Sequence, residues 1–443
     1  MKNGSISATA RRINASAHAQ DWVRHELGAW VLALAIISSV AAIAMPLAHS
    51  QTFTQLHSFI GGKKDGASSY SGMINVGGTL YGTTSGGGAH GFGTVFKITS
   101  AGKESLLYSF KGPPNDGADP SYINLVSDSK GNLYGATSHG GNGPCTDSGS
   151  PAGCGTVFKV TSAGKESVLY NFMGAPDGFG PDGGLIMDST GSLYGATYAG
   201  GVLNSGCQGG CGTVFKITSA GAESVLYKFA AKAKAADGAG PQGNIAIDAS
   251  GNLYGITLGG GKHLSGTVYK LTASGKESVL YSFCAEKNCK DGELPYGGVV
   301  LGAKVNLYGT TGTGGTGVCG SGTCGTIFTV NTSGNGFGVL YSFAGPPNDG
   351  FLPVGGLAID AAENLYGTTF SGGLYLYGTV FVFAGGSESV LHSFNFNGTD
   401  GVQPEGSLSI DSTGNVYGTT VFGGSGTACD SGVGCGTAFK ITP

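Results

Sequence analysis

Gly356-Leu357-Ala358-Ile359-Asp360, then Asn364-Leu365-Tyr366-Gly367-Thr368-Thr369, Gly372-Gly373, Gly378-Thr379-Val380-Phe381 and Leu391-His392-Ser393-Phe394: this stretch decides the fold. It holds four short apolar phrases with period-two alternation, separated by Gly, Asn and Ser. Its Leu-Tyr-Gly phrase, Val-Tyr-Gly in the last copy, occurs seven times, with tyrosines 81, 134, 194, 254, 308, 366 and 417 spaced 53, 60, 60, 54, 58 and 51 residues apart. A glycine pair follows every copy. A Gly-Thr-Val-Phe-like phrase comes next, with Phe96, Phe158, Phe215, Tyr269, Phe328, Phe381 and Phe439 at its aromatic position. A Leu-Tyr-Ser-Phe-like phrase then ends at Phe110, Phe172, Phe229, Phe283, Phe343 and Phe394.

We name the four strands of a repeat A to D; in the quoted copy they cover 357–360, 364–369, 378–383 and 388–394. The A–B and C–D links, such as 411–415 and 161–165, read as tight turns in which Gly or Asn supplies a positive φ. Four-stranded units of this length are propeller blades. The expected fold is all-β, a seven-bladed β-propeller in one domain over 51–443. The region after residue 50 opens with a D phrase, Leu56-His57-Ser58-Phe59, and closes with a C phrase, Gly436-Thr437-Ala438-Phe439. Pairing this N-terminal D strand with the C-terminal A–C strands closes the ring and removes two open sheet edges. His57 and His392 replace the usual Tyr and are expected to pack between blades.

Arg11, Arg12 and Arg24 precede an apolar run over 27–45, and Ala48 and Ser50 offer a cleavage site before Gln51. Residues 1–50 therefore read as an export signal, with an uncleaved N-terminal anchor as the alternative. No second apolar run follows, so no other membrane span is expected. The remainder carries 19 Lys, no Arg and 25 acidic residues, a formal charge of −6. A nucleic-acid partner would need a basic stripe and is not expected. The expected location is extracellular or periplasmic, as a monomer.

Ten cysteines fall into five close pairs, Cys145/Cys154, Cys207/Cys211, Cys284/Cys289, Cys319/Cys324 and Cys429/Cys435. Local pairs in an exported chain read as disulfides; zinc would call for a common CxxC spacing and accompanying histidines.

The phrases Leu-Tyr-Gly-Thr-Thr, Gly-Gly and Gly-Thr-Val-Phe-Lys resemble the GloVer (Gloeo_Verruco) tandem repeat of bacterial surface or exported proteins, a family called "choice-of-anchor" because many members end in one of several anchoring tails. The resemblance spans residues 53–443. It implies export and a propeller-like fold, and it carries over no catalytic residue. No anchoring tail is recognisable in this chain.

The long, variable connections are D–A and B–C, which share one face of a propeller, and variable loops on a repeated scaffold are where binding usually lives. All five cysteine pairs fall there. Asp-Gly recurs in each D–A loop, at Asp65, Asp116, Asp177, Asp237, Asp291, Asp349 and Asp400. Seven carboxylates around the channel mouth would suit a cation such as Ca²⁺. The competing reading makes Asp a turn cap, and sevenfold identity favours the turn. His90, His139 and His263 lie in B–C loops and would serve a general base or a metal if brought together with a carboxylate; solvated loop histidines are the alternative. Tyr198, Phe370, Tyr375, Tyr377 and Phe422 in B–C loops, with Phe179 and Phe351 in D–A loops, would stack on a glycan or grip a peptide, or else pack the loops down. No Gly-x-Ser-x-Gly elbow, phosphate loop or His-Glu-x-x-His pair occurs. The reading that follows favours a binding or structural module on the disulfide-bearing face, with a glycan, peptide or surface protein as partner. A lyase or hydrolase at the channel mouth is the alternative.

Overall fold

A computed structural model of the chain separates residues 1–50 from a compact unit, Gln51–Pro443. It describes residues 51–443 apart from 100–101, 147–149, 176, 204–205, 208, 231–236, 321 and 430–431. The export signal expected over residues 1–50 lies outside the described residues. The unit is a seven-bladed β-propeller of four-stranded antiparallel sheets in the order A-B-C-D. Blade 2 shows the plan: Val126–Ser127, Leu133–Thr137, Thr156–Val160 and Glu166–Asn171.

Why the Leu-Tyr-Gly phrase must end in glycine is visible in the packing. A Cβ at Gly135 would lie 2.6 Å from the ring of Phe158 on strand C, and one at Gly82 would lie 2.5 Å from Phe96. That ring is in turn met edge-on by the Phe ending strand D of the preceding blade. Phe110 and Phe158 have ring centroids 5.0 Å apart, and each of the other six seams has a like pair, from Phe59–Phe96 to Phe394–Phe439. All fourteen rings are fully buried. Edge-to-face contact contributes about 0.5–1.5 kcal/mol per pair beyond burial. Seven repeats of one aromatic lock therefore bond blade to blade.

The ring closes with a borrowed strand. Thr52–Ser58 runs antiparallel to Thr437–Thr442, with Thr52 opposite Thr442 and Ser58 opposite Thr437. At the axis the A strands approach closely because glycines leave room. A Cβ at Gly72 in blade 1 would lie 2.3 Å from the Ser407 carbonyl oxygen in blade 7, and one at Gly297 in blade 5 would lie 2.3 Å from the Gly355 carbonyl oxygen in blade 6. Asn124 of blade 2 donates to Asn244 Oδ1 of blade 4 at 2.8 Å, and Asn244 donates to Ser407 Oγ at 3.0 Å. These side chains cross the axis, so it is a plugged core rather than an open bore.

Candidate functional site

On the loop face, each D–A loop pairs with the B–C loop of the blade it enters. Gly117–Ala118 pairs with His139–Gly140 in blade 2, and Gly401–Val402 pairs with Phe422–Gly423 in blade 7. The five disulfides form as expected, four in B–C loops and Cys284–Cys289 in a D–A loop. Cys154, Cys211, Cys324 and Cys435 are buried at the top of the blade cores, which anchors the loops to the scaffold.

The seven Asp-Gly carboxylates sit away from the axis, against the outermost strand of the preceding blade. Asp116 accepts from the Tyr108 hydroxyl at 2.6 Å, from Lys111 N at 2.8 Å and from Gly117 N at 2.7 Å. Asp177, Asp237, Asp291 and Asp349 accept likewise from Tyr170, Tyr227, Tyr281 and Tyr341. His57 and His392 take the tyrosine's place at Asp65 and Asp400, at 3.1 and 3.0 Å. The paired glycine is needed because a threonine methyl covers it: a Cβ at Gly117 would lie 2.5 Å from Thr137 Cγ2. The structure thus puts these carboxylates at the blade seams rather than around a channel mouth, because strand D supplies their donors.

A third member of the seam was not foreseen. The residue four before the strand D aromatic is Glu104, Glu166, Glu223, Glu277 or Glu388 in five blades. Each has a buried Oε1 that no described residue bonds. Burial, then the charge of Asp65, Asp116 or Asp237, pushes Glu104, Glu166 and Glu277 up to about 7, and burial with Asp349 pushes Glu388 up to about 8. In the other two blades the position is Phe. Phe337 stacks on Tyr281 at 3.4 Å and Phe53 on His392 at 3.8 Å. The trio His57, Asp65 and Glu104, whose ligand atoms lie within 4.8 Å of one another, is this seam unit with His in place of Tyr.

The candidate histidines are not gathered. His90 and His263 are exposed, on blades 1 and 4. His263 edges an open hollow of about 550 Å³ along strand D of blade 4, with Lys262, Glu277 and Tyr281. His139 is 1% exposed, with Nδ1 3.4 Å from Asp119. Among the described residues, groups of three potential ligands occur only at His57/Asp65/Glu104 and at the Cys284–Cys289 disulfide with Glu293, and neither includes these histidines.

Of the candidate aromatics, Phe370 is fully buried and offers no contact surface. Phe179 and Phe351 pack against blade cores. Phe422 is half-buried. Tyr377 is half-buried with its ring 5.7 Å from Phe396, while Tyr375 is 44% exposed beside exposed Leu374 and Leu376 on the rim. Tyr198 lies toward the axis, its ring over Gly240 of the next D–A loop.

The best-formed cluster is at the loop-face end of the axis, and it comes from a position of the D–A loop that changes from blade to blade. Five residues after the Asp of Asp-Gly, at the entry to strand A, stand Tyr70, Asp182, Gln242, Tyr296, Val354 and Glu405; in blade 2 one extra residue puts Ser121-Tyr122 there. The rings of Tyr70 and Tyr122 are 5.1 Å apart, tilted 44°. Tyr122 Oη donates to Glu405 Oε2 at 3.0 Å. Glu405 is 6% exposed, and its Oε1 accepts no hydrogen bond from a described residue. Burial holds its carboxyl up to about 7, the Tyr122 hydrogen bond opposing the shift. Burial and the charges of Glu405 and Asp119 push the Tyr70 phenol well up. Ser121 Oγ donates to Asp119, so His139 stands behind this cluster through Asp119. Blades 1, 2 and 7 thereby bring two tyrosine rings together beside a buried carboxyl, with Asp119 and Asp182 near enough to bear on the two phenols. Sequence reasoning passed over this position because it ranked loops by length and aromatic content rather than by which place in the repeated loop changes.

No curated protein matches the chain. Among solved structures, it is similar to a putative 6-phosphogluconolactonase from Bacteroides uniformis, at 13% identity over 71% of this chain and 81% of that one, TM-score 0.45. It is also similar to a putative gluconolactonase, at 11% over 89% and 92%, TM-score 0.42. A luciferin-regenerating enzyme aligns at 14% over 72% and 91%, TM-score 0.41. The Gloeobacter/Verrucomicrobia repeat matches residues 144–323 and 285–443, which together span more than half of the chain. With its seven blades, each built on a Tyr-Gly phrase, the chain belongs to the Gloeobacter/Verrucomicrobia repeat family.

Proposed function

We propose that this is an exported binding module that captures its ligand at the loop-face end of the propeller axis. Export rests on the N-terminal signal pattern, and five disulfides suit an oxidising compartment. One observation carries the site. Within a D–A loop whose Asp and Gly recur in all seven copies and whose Pro recurs in six, the entry position to strand A changes from blade to blade, and at blades 1, 2 and 7 its side chains meet as Tyr70, Tyr122 and Glu405. A repeated scaffold keeps what packs and varies what contacts others. Binding of a glycan and peptide panel, read by calorimetry, should yield a ligand whose affinity falls at least about tenfold in Tyr122→Ala and is untouched by Tyr375→Ala on the rim. The reverse pattern would move the site to the rim.

Hydrolysis or elimination at the same place is a second reading. It is favoured by a buried carboxyl held near 7 against a tyrosine hydroxyl, a pair suited to moving a proton at neutral pH. Turnover of a bound ligand that stops in Glu405→Gln would select it over binding alone.

A further inference from the structure

We infer that the axial site takes an alkylammonium group, seated against the open side of the Tyr70 and Tyr122 pair, beside the buried carboxyl of Glu405. This rests on the reading above and names its ligand class. The entry positions carry three tyrosines, two acids, a glutamine and a valine, and no Lys or Arg. An anionic ligand would face Asp182, Glu405 and Asp119, and no Lys or Arg stands at the entry positions to offset them. A neutral one would gain nothing from this surplus of acidic groups. A cation is favoured by it.

Glu405 is the second, independent observation. It is nine-tenths buried, one oxygen is held by Tyr122 and the other accepts nothing from a described residue. Its carboxyl bonds the Tyr122 hydroxyl and its charge bears on the Tyr70 phenol, so it lies at the hydroxyl end of the ring pair. Tyr122 is 45% exposed and Tyr70 is half-buried, so the pair is open to solvent. Ring faces attract a cation within about 6 Å of their centroids, a span that the 5.1 Å ring separation allows for both at once. Among cations, an alkylated ammonium fits best: it gives apolar contact to the rings and is less strongly hydrated than a bare metal ion.

The test is calorimetric titration of the full chain with choline, n-butylammonium and 3,3-dimethylbutan-1-ol, the uncharged carbon isostere of choline. The expected result is that at least one cation binds about tenfold or more tightly than the isostere, and that Glu405→Gln removes the difference. Tyr70→Leu should weaken the cation similarly, which keeps the test sound if Glu405→Gln fails to fold; both variants are first compared with wild type by melting temperature. Equal binding of choline and the isostere, or binding of neither cation, overturns the inference. If a neutral glycan then binds and is lost in Tyr122→Ala, the axial site stands and only the ammonium falls. If nothing responds to Tyr122→Ala, the site falls with it.

Discussion

Replacing Asp116 by alanine strands three donors at once. The carboxylate, 4% exposed, holds the Tyr108 hydroxyl at 2.6 Å, Lys111 N at 2.8 Å and Gly117 N at 2.7 Å. Hydrogen bonds to a charged group contribute about 1.5–3 kcal/mol each, and each buried donor left unpaired costs about 1–3 kcal/mol. Shared loop relaxation and relief of the nearby Glu166 keep these from adding, so a net loss of about 4 kcal/mol is expected. Unfolding entropy near 2.1 cal/mol/K per residue gives about 0.8 kcal/mol per degree for the unit Gln51–Pro443. Scanning calorimetry should therefore show Tm lower by about 5 °C. Tyr108→Phe alone should cost about 1 kcal/mol, and the double variant little more than Asp116→Ala, because both remove one bond. EDTA should leave the difference unchanged. A fall below about 1 °C, or one that appears only with Ca²⁺ present, would refute the seam role and return these carboxylates to a cation site.

Gly135→Ala puts a methyl within 2.6 Å of the Phe158 ring and should cost about 1–3 kcal/mol by overpacking, read as a lower urea midpoint with unchanged slope; an unaltered midpoint would contradict the aromatic lock. Glu104, Glu166 and Glu277 hold protons to about 7 and Glu388 to about 8 in the fold, against 4.5 when unfolded. Their stabilisation is full below about 4.5 and lost as pH rises through 7 to 8. The turn carboxylates act oppositely: Asp188, held at about 2 chiefly by hydrogen bonds from Thr190, Ser192 and Tyr194 against its burial, stabilises above 3.8 and is lost as pH falls toward 2. Tm should peak near pH 5 and decline toward pH 8.5; a flat or rising profile over that range would count against the seam glutamates. Removing the Cys145–Cys154 pair as a double alanine variant opens a short loop and should cost about 2–3 kcal/mol, while leaving the axial rings in place, so ligand affinity should persist; lost affinity would tie that loop to the site.

The blades were legible because each phrase answers a packing need repeated seven times: glycine under a ring, threonine over glycine, phenylalanine at the seam. Closure was legible from an unpaired D phrase at one end and an unpaired C phrase at the other. The seam triads were not, since Tyr108, Asp116 and Glu166 come from separate places in two repeats and meet only once blades stack. Their pattern was nevertheless present, Glu at five copies and Phe at two, four residues before the strand D aromatic. Phe370 misled because a loop position was read as exposure, whereas it closes the top of a strand. The axial cluster was hidden by the opposite error: Glu405 and Tyr122 look unremarkable singly, and only the shared entry position to strand A brings them to one point.

Hydrogen-exchange mass spectrometry of the full chain, with and without saturating choline, tests the central claim most directly. Binding at the axis predicts added protection in the peptides carrying Tyr70, Tyr122 and Glu405 and unchanged exchange around Tyr375 and His263. Protection confined to the rim loops, or to the hollow beside His263, would contradict it.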